Sequence, residues 1–204
     1  MVNVDDIYMV MTTVAILHEV PEPKSVNVKD FEHLLCPPIT VTNSPAGMLI
    51  SSQREQIEVL VANTKTDFRD LSGRKDFSSS KIGEVMEYFA SKFGLKTNTY
   101  GVNFILRVPH SEPGKWIVKN VLSSGISEKT GEALVGGSGT VSLKSGRKTW
   151  NVGFESTDDN HIGVNFNASE KRVELPSAVA LRNELKKQWD LLVKFLSDLG
   201  LLQE

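Results

Sequence analysis

Eleven consecutive residues, Ile7 to Leu17, read Ile-Tyr-Met-Val-Met-Thr-Thr-Val-Ala-Ile-Leu and are largely apolar on both alternations, with many β-branched side chains. Side chains alternate across a strand. A segment apolar on both sides of the pleat therefore predicts a strand covered on both faces, near the middle of a sheet. The run falls short of the ~20 apolar residues that a spanning helix needs. No charged n-region precedes it, which argues against a secretory leader.

Composition narrows the rest. Of 204 residues, 40% are hydrophobic and 24% charged, enough apolar surface for a core and too little net charge to keep a chain disordered. The net charge of -2 and pI near 6.1 give no footprint for a phosphate backbone, so nucleic acid is not an expected partner and neither is a membrane. A single cysteine, Cys36, excludes an intramolecular disulfide and fits a reducing compartment, so the expected location is cytoplasmic.

Downstream, His18 to Pro45 holds five of the eight prolines, at 21, 23, 37, 38 and 45, and reads as a long surface excursion with at most a helical turn at Val28 to Leu35. Met48 to Ser52 and Gln56 to Ala62 predict a hairpin with Ile57, Val59 and Val61 on one face. A polar loop through Gly73 follows. Ser78, Ser79 or Ser80 can cap a helix carrying Ile82, Val85, Met86, Phe89 and Phe93, ended by Gly94. Thr99 to Val108 reads as a strand and Pro113 to Leu122 as a short helix.

Beyond Gly131 the pattern is a meander: Thr140 to Lys144, Lys148 to Glu155, Ile162 to Asn167 and Arg172 to Leu175, with turns at Ser145-Gly146 and Asp158-Asp159-Asn160. Pro176 and Ser177 then introduce a helix with Leu181, Leu185, Trp189, Leu192, Leu196 and Leu199 on one stripe, Leu191 and Phe195 beside it, and Gly200 after it. The whole predicts a single α+β domain over residues 1–204, an antiparallel sheet of hairpins packed against two main helices, the longer one C-terminal. Tyr100-Gly101-Val102-Asn103-Phe104 is similar to Ile162-Gly163-Val164-Asn165-Phe166, and Phe89 to Leu95 to Phe195 to Leu201, which suggests a duplication over about 48–108 and 140–201.

Chemistry is sparsely signalled. His18, His33, His110 and His161 show no spacing that places two ligands on one metal. His33 and Cys36 lie three apart, but a cysteine before Pro37-Pro38 reads as a small apolar residue at a helix end. Gly136-Gly137-Ser138-Gly139 precedes a strand rather than the helix a phosphate loop requires. Asp158-Asp159-Asn160 reads as turn chemistry. No G-x-S-x-G elbow nominates a nucleophile. The expectation is therefore no catalytic residue, no cofactor and no metal.

Ser51-Ser52 followed by Gln56-Ile57-Glu58-Val59-Leu60-Val61, the amphipathic helix, the strand with Gly101-Val102-Asn103-Phe104 and the leucine-rich C-terminal helix resemble a sporadically distributed bacterial family of unknown function. The strand pattern is also similar to the export chaperone SecB and its relatives. The likeness covers about Met48 to Leu201. An Arg-Tyr pair expected from it near Val102 is replaced by Val102-Asn103. It carries over no catalytic residue.

These readings predict a non-enzymatic binding or adaptor protein, chaperone-like, that recognises a polypeptide or assembles as a homo-oligomer. The apolar arc of the last helix exceeds one sheet-facing stripe, so a dimer is expected, with Trp116, Trp189, Leu191 and Phe195 as candidate interface residues and Trp116 the most exposed tryptophan. The alternative is an enzyme or small-molecule-binding domain with its pocket between sheet and helices.

Overall fold

A computed structural model describes residues 2–18, 27–45, 47–95, 97–122, 137–146, 148–158, 160–171 and 174–202. Nine strands make one antiparallel sheet: β1 (Tyr8–His18), β2 (Ile39–Ser44), β3 (Gly47–Ser52), β4 (Ile57–Ala62), β5 (Lys65–Asp70), β6 (Thr97–Pro109), β7 (Ser138–Ser145), β8 (Lys148–Asp158) and β9 (His161–Glu170). Their spatial order is β2-β3-β4-β5-β1-β6-β9-β8-β7. Three α-helices are described: α1 (Ile82–Phe93), α2 (Pro113–Asn120) and α3 (Ala178–Asp198). The fold is α+β with its longest helix C-terminal, as the patterning predicts.

One register line explains the sheet. Val41, Ile50, Val59, Phe68, Val14, Val102, Ala168, Trp150 and Leu143 are directly paired from edge to edge, and every one is apolar. Side chains on a pleat share a face at every second residue, so this line and its equivalents turn one whole face of the sheet into the core side. The helices bury it. Phe104 stacks with Phe77 and Phe166 at 5.6 Å and meets Trp189 edge-on at 6.0 Å, while Phe89 packs 5.8 Å from Phe68.

Helix α3 begins where Ser177 Oγ accepts from Ala180 N at 3.3 Å, and Gly200 at φ 70 follows its end. Trp189, Leu192 and Leu196 are buried. Arg182 pairs with Glu84 of α1, and Glu87 of α1 accepts from Ala178 N at 3.3 Å, so the two helices are fastened where α3 starts. Lys148 meets Glu184 of α3 at 3.1 Å and Glu170 of β9 at 3.6 Å, anchoring α3 to the sheet.

Several expectations need correction. Strand β1 is central in the order and Thr12, Thr13 and Val14 in its middle are buried, but towards its ends Tyr8 is 63% and Leu17 40% exposed, so its outer face is covered only in part. The polar stretch before Gly73 contains strand β5, and the proline-rich excursion contains β2. Arg172 and Val173 of the expected last strand lie outside the described residues, and Glu174 and Leu175 are not in a strand. Trp116 is buried on α2, 5.6 Å from the Phe154 ring. In chain order β1, β2 to β5 and α1 are followed by β6, α2, β7 to β9 and α3. Tyr100 to Phe104 and Ile162 to Phe166, the two similar strand segments, sit on β6 and β9, which pair with each other.

Candidate functional site

The sheet face that none of the described helices covers is built from the register line next to the apolar one. Thr40, Ser51, Glu58, Arg69, Thr13, Asn103, Asn167, Asn151 and Ser142 are paired in turn across all nine strands, and every one is polar. The two halves of the line differ. On the β1 to β5 side it is ionic: Arg69 lies 3.5 Å from Glu58 and 3.7 Å from Asp67, which Lys65 meets at 2.9 Å. The flanking line there carries Leu49, Leu60 and Ala15.

On the β6 to β7 side it consists of amides and hydroxyls. Asn167 Nδ2 donates to Asn103 Oδ1, and Ser142 Oγ donates to Asn151 Oδ1 at 2.7 Å. These contacts hold the side chains in one row while using only part of the hydrogen-bonding capacity of each carboxamide, which has two donor hydrogens and two acceptor lone pairs. Asn165, two residues along β9, is exposed on the same face.

A shallow depression flanks this row on either side. One of about 680 Å³ is lined by Thr99, Thr149, Ser169, Lys144 and Lys171. The other, about 440 Å³, is lined by Ser138, Thr140, Gly153, Glu155, Gly163 and Asn165. Glycine keeps the second floor low. A Cβ on Gly163 would fall 2.6 Å from Thr157 Cγ2 and 3.0 Å from Glu155 Cγ, so these side chains lie across the space a larger residue would fill. Together the row and depressions form a polar trough over β6, β9, β8 and β7.

The four expected interface residues lie off this trough. Trp116 and Trp189 are interior, with 8% and 6% exposure. Leu191 and Phe195 are half-buried and line an apolar notch of about 180 Å³ with Leu143, Trp150 and Val152.

His33 and Cys36 do not meet as a pair. The His33 ring packs edge-on to Tyr88 at 4.9 Å. Cys36 hydrogen-bonds Glu55, and that bond, with burial, raises the thiol above its ordinary range. The same bond and the Lys81 ammonium at 2.9 Å hold the Glu55 carboxyl low. Ser52 Oγ donates to Cys36 O at 2.9 Å and Lys81 Nζ to Leu34 O at 3.2 Å, so the cluster clips the approach to β2 onto the β3–β4 turn and the start of α1. Asp158 Oδ1 accepts from Asn160 N at 2.8 Å, the turn chemistry expected of that segment. Gly136 lies outside the described residues.

Asparagine is disfavoured inside strands. Asn103, Asn151, Asn165 and Asn167 in four strand-interior positions are the sequence signal for this face, one that motif reading passes over. No helix among the described residues is long and apolar enough to cross a membrane. Compared with known proteins, the chain matches no family model and no curated sequence.

Proposed function

We propose that the protein is a non-enzymatic binding module that holds an extended, polar polypeptide segment in the trough of its uncovered sheet face. The observation that supports this most is the in-register row Asn103, Asn167, Asn151 and Ser142 on a face that none of the described helices covers. A carboxamide side chain copies the peptide group, with donor and acceptor side by side, and so pairs with a main chain whatever its sequence. Affinity for a phosphate backbone would need a surplus of cations. Here Lys144, Lys171 and Arg107 are set against Glu155 and a chain of net charge -2.

The amide row favours a hydrophilic segment over the apolar stretches that a chaperone for unfolded chains must shield. The alternative, a pocket between sheet and helices, has less support because aromatic rings at 5.6 to 6.0 Å fill the middle of that interface.

A displayed random-peptide library panned on the protein tests the reading. Enrichment of polar peptides whose binding is lost in Asn151→Ala/Asn165→Ala, with thermal stability retained, is the expected result. Peptides that bind that variant as well as wild type would overturn it, and so would a labelled oligothymidylate that binds this face where no peptide does.

A further inference from the structure

Strand β7 is one edge of the sheet, so alternate backbone N–H and C=O groups along its eight residues point outward. The other edge, β2, has six residues and follows directly on Pro37-Pro38, whose missing donors blunt it. Among the described residues no proline blunts β7, and Leu143 on its core side is 38% exposed.

We infer that β7 is a self-complementary edge at which two copies of this chain pair antiparallel about a two-fold axis through Val141. That axis is perpendicular to the sheet, so both helix layers stay on one side and both polar troughs on the other. It sets Val141 against Val141 of the second copy, Ser142 against Thr140, Leu143 against Gly139 and Lys144 against Ser138. The fit is large against small. Gly139 is overlaid by Val121 and Leu122, since a Cβ there would sit 2.7 Å from Val121 Cγ1 and 3.1 Å from Leu122 Cδ2. Each exposed Leu143 therefore gains a glycine opposite it and two half-buried apolar side chains beside it.

Charge agrees with this register. Within one chain Ser138 pairs with Glu155 on β8, so Lys144 of one copy lies two strand spacings, roughly 10 Å, from Glu155 of the other. Both side chains are long and exposed and only a serine stands between them. Among the described residues neither makes an ion pair within its own chain. The axis produces the contact twice. Lys144 of the second copy would border the depression holding Ser138, Thr140 and Glu155, which joins the two troughs into one. The pairing does not depend on what the trough binds.

Sedimentation equilibrium of the full chain, with a charge swap, tests it. Wild type is expected to dimerise, Lys144→Glu to weaken association at least tenfold by facing two carboxylates twice, and Lys144→Glu/Glu155→Lys to restore it. Positions 144 and 155 sit at opposite ends of the β7–β8 pair, so restoration cannot arise inside one chain. A monomeric mass at high micromolar concentration would overturn the pairing and leave the peptide-binding reading standing. A dimer indifferent to Lys144→Glu, or one broken by Thr40→Lys on β2, would overturn it equally.

Discussion

Gly83 of α1 and Ala178 at the start of α3 are in backbone contact: a Cβ on Gly83 would lie 2.9 Å from Ala178 Cα and 3.1 Å from its Cβ. The approach lets Arg182 reach Glu84 and Glu87 reach the first N–H of α3. Gly83→Ala should raise helix propensity by ~1 kcal/mol yet lose more by overpacking, on the order of 1–3 kcal/mol. Urea unfolding is expected to show net destabilisation, and Ala178→Gly in the same background should recover part of it. A stabilised Gly83→Ala protein would mean that the helices are free to separate.

Leu192 is 1% exposed beneath α3, in a stripe with Trp189 and Leu196. Leu192→Asp places an unpaired carboxylate there, a change that exceeds the usual mutational cost of ~1 kcal/mol several-fold. Loss of the cooperative thermal transition is expected. A melting temperature like that of wild type would contradict the burial.

Phe195 is half-buried, with its ring 6.5 Å from that of Phe154. Phe195→Lys removes part of the notch wall, but the lysine stem can lie along the apolar surface with its ammonium in water. A loss of about 1–3 kcal/mol in chemical denaturation is expected, below the ~3–5 kcal/mol of a fully buried Phe→Ala. A stability unchanged from wild type would show that the ring packs on nothing in its own chain.

The Cys36–Glu55 link responds to pH at both ends. Glu55 is held below its ordinary 4.5, so its contribution is present above that value and is lost as pH falls through the lowered folded-state value. Cys36 is held above its ordinary 9.0, so its contribution is present below 9.0 and is lost as pH rises through the raised value. The melting-temperature gap between wild type and Cys36→Ala should therefore be larger near pH 7 than near pH 10.5. A gap of constant size across that range would show that the thiol and carboxyl are not coupled.

Side-chain patterning in the sequence is sufficient for β1, apolar on both alternations, and for the elements that bury one clear stripe: the β3–β4 hairpin, α1, the meander β7 to β9, and α3. Each is a local consequence of side-chain spacing, and helix ends at Gly94 and Gly200 follow from glycine's access to positive φ. Strand β5 escapes that logic. Its Lys65, Asp67 and Arg69 face the other side, and two of its three inward residues are polar: Thr66 is met by His18 at 3.0 Å, and Asp70 by Ser80 at 2.6 Å and by Ser72 N at 2.9 Å.

Trp116 misleads for a similar reason. Its flanking lysines, Lys115 and Lys119, suggest surface, while an eight-residue helix turns the indole inward onto Phe154. The trough is still less local. Asn103, Asn151 and Asn167 are scattered along the chain, and only the pairing of β6 with β9 and of β9 with β8 brings them into one row. The sequence alone determined the position and apolar side of the elements with one clear stripe, because those depend on neighbours a few residues away. Only the tertiary structure decided strand order, register and which sheet face stays open, because a shift of one residue in any pairing would exchange the two faces of that strand.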